Sequence, residues 1–401
     1  MNLEQAFLIA CLSAAIHGEE LQFSEINKVN FKVIFQEAKS LDICGLLYPI
    51  MKKFNEAVFQ DNETINEWKN NAITSEIIQI QFIEQMNKVL KKIRREDIEV
   101  IVLKGLTLRD LYPRPKLRSM DDADLLIHKR DMKLCKNILQ SMEYYEDHSD
   151  SKHSVFIHNS YLPIELHWRL VDKTFNKDIS YFEKNIWKSA VKAKICDEAV
   201  FVLSPEDQIL YLCLHMAMHM VSIGFGVRQL CDLVLLVEAK FNEIDWNSVY
   251  QSANKANITK FTIAIFALGK RLFNMPVPDN LDKLELQDTK NIDSLASYIF
   301  TMGINTEEVQ GIENHRDKNI RSVLKRLKLY FTILLPWKQN LDARYSYAQK
   351  WIILTPIAWL HRFIYVIFSK EFINGGNISY FKNRVNIVKK RTELLKWLEL
   401  Y

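Results

Sequence analysis

The apolar period of the chain changes near residue 96, and this change limits the folds open to it more than any other feature. Before that point apolar residues recur at helical spacing, as in Ile78, Phe82, Met86, Val89, Leu90 and Ile93, with no strand-like alternation. From Ile98 to Leu103 the sequence IEVIVL is a short β-branched run, ending at Lys104-Gly105 where a helix is expected to begin. Asp122 to His128 (DADLLIH) reads as a second strand, and Asp131 to Met142 as an amphipathic helix with Met132, Cys135, Ile138, Leu139 and Met142 on one face. Ser154 to His158 and Leu162 to Leu170 flank Asn159-Ser160 and read as a hairpin. The expected class is therefore α+β, a small mixed β-sheet core flanked by large helical regions.

Helix signals return at Ser204-Pro205-Glu206-Asp207, which supplies an N-cap, a first-turn proline and early acids before the apolar run Ile209 to Val221. Gly224-Phe225-Gly226 breaks that helix, Val227 to Ala239 reads as the next, and the rest to Tyr401 is again helical. The pattern divides the chain into a helical region at 1–95, a motif-bearing core at 96–172, a helical region completing a cleft at 173–280 and a C-terminal helical region at 281–401.

Composition narrows the class without naming a partner. Hydrophobic residues at 48% and charged residues at 25% are those of a folded globular chain, and a net charge of +4 is far from the dense basic face of a dedicated nucleic-acid binder. Six cysteines without a Cys-x-x-Cys pair argue against a zinc knuckle or a disulfide framework, and favour a reducing, cytoplasmic setting. Met1 to Ala15 carries Glu4 in place of a basic leader and reads as a first helix. Trp351 to Phe368 is apolar but interrupted by His361 and Arg362, so no transmembrane segment is expected there.

The chemistry concentrates between Val102 and Ile127, VLKGLTLRDLYPRPKLRSMDDADLLI. Strand side chains alternate, so Asp122 and Asp124 project to one face while Ala123 and Leu125 enter the core. Hard oxygen ligands at that spacing suit Mg²⁺ or Mn²⁺, which bind one or two carboxylates together with substrate phosphates. On the later strand Ile164, Leu166, Trp168 and Leu170 alternate with Glu165, His167 and Arg169, so Glu165 offers a third acid. Such a set could hold two metals for phosphoryl or nucleotidyl chemistry. Gly105 would let the backbone approach a phosphate, and Lys104 and Arg118 could neutralise it.

Each of these features has a plainer alternative. Acids at strand ends are often solvated turns, Lys104 and Arg118 could pair with Asp110 or Asp121, and His167 could belong to a solvated polar face. His215 and His219 share a helix face at the spacing of zinc ligands, yet no third ligand is identifiable, so helix-contact or cleft-lining roles are favoured. Arg228 and Asp232 stand four apart, the spacing of a local ion pair. Lys325-Arg326 and Lys389-Lys390-Arg391, among Tyr330, Trp337 and Trp351, could meet RNA or a lipid surface, but the solvated face of packed helices is the favoured reading.

The motifs together resemble one family, the uncharacterised nucleotidyltransferases of the polymerase-β-like superfamily, in the family 5-like branch that carries Lys-Gly in place of the usual Gly-Ser. Lys104-Gly105, Tyr112-Pro113, Arg118, Asp122-Ala123-Asp124-Leu125-Leu126 and Glu165-Leu166-His167-Trp168 follow that branch's order. Asp42 to Leu47 (DICGLL) is similar to its N-terminal helical motif, and Pro205-Glu206-Asp207, His215, His219 and Asp232 to its downstream helices, so the resemblance spans about residues 1–250. Gly105 lies farther from the acid pair than in the wider superfamily, and Glu165 stands where Asp is usual.

The resemblance implies that Asp122 and Asp124 bind metal and that Glu165 completes the site and helps deprotonate the acceptor. Lys104, Gly105, Arg118, His167, His215 and His219 would line the nucleotide cleft. The expected reaction is attack by an acceptor hydroxyl or phosphate on the α-phosphorus of an NTP, ATP foremost, with release of pyrophosphate. The acceptor is expected to be a small molecule, sugar, lipid or peptide more than a nucleic acid. Two rivals stay open: a glycosyl- or phosphotransferase using the same Asp-x-Asp, and a nucleotide-binding module without turnover, such as half of a toxin–antitoxin pair.

Overall fold

The computed structural model describes residues 2–54, 62–171, 179–222, 224–283, 288–302, 356–361 and 389–400. Helix α1 (Leu3–His17) opens with a capping box in which Asn2 Oδ1 accepts from the Gln5 amide at 2.8 Å, and it closes at Gly18 with φ of 71°. Helices α2 (Phe31–Ser40), capped by the Asn30 side chain, and α3 (Cys44–Met51) pack beside it. The N-terminal apolar stretch is thus a packed helix, as its sequence suggested. Helix α4 (Asn62–Arg95) runs for 34 residues and carries the periodic side chains Phe82, Met86, Val89, Leu90 and Ile93, all buried.

A seven-stranded mixed sheet holds the order β3-β4-β5-β2-β1-β7-β6. Its strands are β1 (Val100–Val102), β2 (Ala123–Ile127), β3 (Tyr145–Ser149), β4 (His153–Ile157), β5 (Ile164–His167), β6 (Val191–Ile195) and β7 (Glu198–Val202). Strands β2 and β5 are parallel, as are β1 and β7, and the other neighbours run antiparallel. Side-chain alternation divides the sheet between two cores. Val100, Val102, Ala123, Leu125, Ile127, Ile164 and Leu166 meet α4 and helix α6 (Met132–Gln140), which follows the single-turn α5 (Gly105–Leu108). Ile101, Leu103 and Leu126 join the larger core of the remaining helices. Each such fully buried aliphatic side chain contributes about 1.5–3 kcal/mol relative to exposure.

The hairpin of β4 and β5 is centred on Ser160, with His153 opposite His167 and Val155 opposite Glu165. Three further strands add to the expected set. The side chains of β3 are exposed along its length, so no apolar alternation marked YEDHS as a strand. Strands β6 and β7 extend the sheet past residue 172, where the core was expected to end. Their turn is Cys196-Asp197, with φ of 48° and 65°, a left-handed pair that usually announces itself as Asn-Gly. Strand β6, VKAKI, lies at the sheet edge and keeps the charged character of an edge strand.

Helix α7 (Ser180–Ser189) precedes that hairpin. Helix α8 (Pro205–Val221) starts where its proline and cap predicted, with Ser204 Oγ accepting from the Asp207 amide at 3.2 Å. Helices α9 (Val227–Lys240), α10 (Trp246–Lys255), α11 (Thr259–Phe273) and α12 (Thr289–Met302) complete the larger core. Residues 389–397 form a further helix whose Arg391 is buried and donates to the carbonyls of Met220, Val221 and Ser222 at the end of α8. Lys389 and Lys390 are exposed, but Arg391 caps a helix C-terminus instead of sharing that solvated face. Lys325-Arg326, Tyr330, Trp337, Trp351 and most of the 351–368 stretch lie outside the described residues. Among the described residues no helix is long and apolar enough to cross a membrane.

Candidate active site

The parallel pairing of β2 with β5 sets Asp124 directly beside Glu165, so the two carboxylates share one face of the sheet. Asp122 stands two residues earlier, at the entrance to β2. Carboxylate oxygens of Asp122, Asp124 and Glu165 lie within 4.8 Å of one another. His167, two residues beyond Glu165, brings Nε2 to 2.8 Å from Asp124 Oδ1 and 3.1 Å from Glu165 Oε2. The Lys104 ammonium sits 2.7 Å from the same Asp124 oxygen.

Lys104 reaches that point through an unusual backbone. Its φ of 47° and ψ of −121° belong to glycine's range, and a side chain there costs about 1–3 kcal/mol. The conformation turns the chain sharply out of β1, while Leu103 keeps a ladder hydrogen bond to the Asp124 carbonyl at 3.0 Å.

Charge at the site is strongly polarised. Burial works to raise the Asp124 pKa, but Lys104 and His167 outweigh it and hold this carboxyl well below the usual range. Asp122 goes the other way, to about 7, through burial first and then repulsion by Asp124. Glu165 is held low because His167 donates to it against the effect of burial. Burial opposes protonation of His167, yet Asp124 and Glu165 raise its pKa. Three crowded hard oxygen donors, one of them displaced to about 7, form the environment that a divalent cation relieves.

Helix α8 covers this face with Tyr211, His215 and His219, one helical turn apart in succession. The charges of Lys104 and Asp124 act on all three groups. The two imidazoles meet through their Nε2 atoms at 3.1 Å, so one donates and the other accepts. Burial and then Lys104 lower the His215 pKa well below its ordinary value and take His219 to about 4, which leaves both neutral at neutral pH. The sequence pointed to both histidines but missed Tyr211, which is buried among apolar neighbours and shows only a core pattern.

Arg118 pairs with Asp232. Its guanidinium is buried against Asp232, with Nε 3.0 Å from Oδ1 and Nη2 2.5 Å from Oδ2, and Tyr112 donates to Oδ1 at 2.7 Å. Asp232 therefore does not pair with Arg228 as their spacing suggested, because long-range partners compete with the local one. Arg228 bonds Asp42 at 2.6 Å, the Ser119 carbonyl at 2.9 Å, and Asp121. Gln79 donates to the Met120 carbonyl at 3.0 Å and Ser119 to the Asp42 carbonyl at 2.8 Å. Residues 118–121, immediately before Asp122, are thereby fastened to α4, α9 and the DICGLL segment. Within that segment, a Cβ on Gly45 would stand 2.9 Å from the Leu117 carbonyl oxygen. Gly105 has a similar role: a Cβ there would meet Arg118 Nη1 at 2.8 Å and Met120 Cγ at 3.1 Å, so its missing side chain admits the strap.

His153 also escaped the sequence reading. It projects beside His167 with the rings stacked at 5.0 Å, and its Nε2 lies 3.7 Å from Glu165 Oε2. Folding the hairpin about Ser160 would have placed it there.

Among solved structures, the antibiotic-resistance factor ANT(2'')-Ia is 11% identical over 44% of this chain and 91% of its own, with a TM-score of 0.34. An antigenic nucleotidyltransferase-like protein from Paracoccidioides brasiliensis is 14% identical over 45% of this chain and 92% of its own, with a TM-score of 0.31. No curated protein sequence matches the chain. The family model described as uncharacterised nucleotidyltransferase matches residues 27–274, a span that contains the acids, the strap and the covering helix. The chain belongs to that family and is a nucleotidyltransferase.

Proposed function

We propose that the protein is metal-dependent and moves a nucleoside monophosphate from an NTP, ATP foremost, to an acceptor hydroxyl or phosphate. The observation that carries this reading is the convergence of the Asp122, Asp124 and Glu165 oxygens within 4.8 Å on one sheet face. Those three residues would hold Mg²⁺ or Mn²⁺, which when bound neutralises the triphosphate and lowers the pKa of the attacking hydroxyl. Glu165, kept ionised by His167, accepts the acceptor's proton as a new P–O bond forms at the α-phosphorus. The bond from that phosphorus to the bridging oxygen breaks, and pyrophosphate leaves. Lys104 supplies a positive charge beside the acids for the phosphate oxygens. Arg118 contributes by holding the strap that precedes Asp122, while Tyr211, His215 and His219 form a neutral wall over the nucleotide.

The acceptor belongs with a small molecule, sugar, lipid or peptide in preference to nucleic acid, a choice supported by the weak net charge. Six free cysteines support a cytoplasmic setting. The test is incubation with each NTP radiolabelled at the α-phosphate, with Mg²⁺ and host lysate, comparing wild type with Asp122→Asn and Asp124→Asn. Label should pass to a discrete species only with wild type. No transfer of α-label to any species, with NTP binding still measurable, would refute nucleotidyl transfer.

A further inference from the structure

Beside the acidic set lies a second group of donors with different chemistry. His153, Glu165 and His167 each offer one ligand atom, all within 4.8 Å of one another. Glu165 Oε2 is 3.1 Å from His167 Nε2 and 3.7 Å from His153 Nε2. Atoms bound to one ion at about 2.0–2.2 Å stand roughly 3–4 Å apart, so these separations need little adjustment. The hairpin register fixes the arrangement, since His153 and His167 are direct partners across β4 and β5 and their rings stack.

Both imidazoles are buried, at 8% and 2% exposure, and no hydrogen bond ties their Nδ1 atoms, so each ring can carry its proton on Nδ1 and offer the Nε2 lone pair to an ion. Asp150 Oδ1 also lies 3.1 Å from His153 Nδ1 without hydrogen-bond alignment. A carboxylate at the far nitrogen is the usual outer partner of a metal-bound histidine, where it leaves Nε2 to ligate.

We infer that His153, Glu165 and His167 form a nitrogen-rich site for a transition-metal ion such as Zn²⁺, next to the all-oxygen position and sharing Glu165 with it. Imidazole ligands favour zinc, iron, nickel or copper, whereas magnesium prefers oxygen. Asp122 belongs to the oxygen position alone, so the two positions differ in metal preference and answer to different substitutions. The site shares Glu165 and His167 with the proposed nucleotidyl-transfer reading, but it requires no particular group to be transferred and is tested by metal binding alone.

The test uses the full chain, stripped by chelator and titrated with Co²⁺ under excess Mg²⁺, with visible absorption read for a nitrogen-ligated ion. Wild type and Asp122→Asn should each bind one such Co²⁺, and His153→Gln should bind it at least about tenfold more weakly. X-ray absorption on Zn²⁺-loaded wild type supplies a readout that needs no variant, with scattering from two imidazoles expected. Complete displacement of Co²⁺ by Mg²⁺, equal affinity in a folded His153→Gln, or an oxygen-only zinc shell would overturn the assignment. Transfer of α-label is scored separately, so its failure would leave the metal result intact.

Discussion

Substituting Arg118 by Met separates a structural ion pair from a phosphate ligand. The guanidinium is 6% exposed and Asp232 3% exposed, and together with Tyr112 they share three hydrogen bonds of 2.5–3.0 Å. Arg118→Met leaves Asp232 buried with Tyr112 as its remaining hydrogen-bond donor among those three contacts. Breaking one side of a buried pair costs about 3–5 kcal/mol, because the remaining charge keeps its desolvation penalty without its partner. Asp232→Leu should cost a similar amount. The double variant removes both charges and should lose less than the sum, so a double-mutant cycle should give coupling of about 2 kcal/mol or more. Urea unfolding followed by fluorescence measures all four proteins. If Arg118→Met unfolds at the wild-type midpoint yet raises the KM for NTP, Arg118 binds phosphate and the positioning role fails.

Other perturbations test separate parts of the argument. Lys104→Gly should be more stable than Lys104→Ala by about 1–3 kcal/mol, reversing the usual order, because both lose the ammonium but only glycine relaxes at φ of 47°; equal stabilities would show no strain there. Glu238 hydrogen-bonds His17 and raises its pKa, so this pair stabilises the fold fully below the ordinary histidine pKa and loses its contribution as pH rises through the folded value. His17→Gln should flatten that part of the stability profile, and an unchanged slope would remove the pair from the account. Gly105→Ala should destabilise by about 1–3 kcal/mol, since its Cβ would meet Arg118 and Met120, and a neutral result would mean that the strap yields freely.

Periodicity fixed much of the fold, because it acts locally. The α4 side chains from Phe82 to Ile93 follow one buried helical face, Ser204-Pro205 marks the start of α8, and the DADLLI alternation sends both acids to the sheet face opposite Ala123 and Leu125. Strands β3 and β6 were hidden because an exposed or edge strand carries no buried alternation to read. Sequence order also exposed Asp122, Asp124 and Glu165 as a candidate set, since each lies on or beside a legible strand.

Which groups meet across the chain was decided by tertiary structure alone. Asp232 had a partner at helical spacing in Arg228, but Arg118 and Tyr112, more than a hundred residues earlier, reach it first in the packed core. Parallel pairing puts Glu165 beside Asp124, and hairpin register puts His153 beside His167. The physical reason is one of range: backbone preference and side-chain alternation are set by neighbours along the chain. The partners of a buried charge are set by where separate elements bring compensating groups, and burying a charge without them costs more than a local spacing rule can offset.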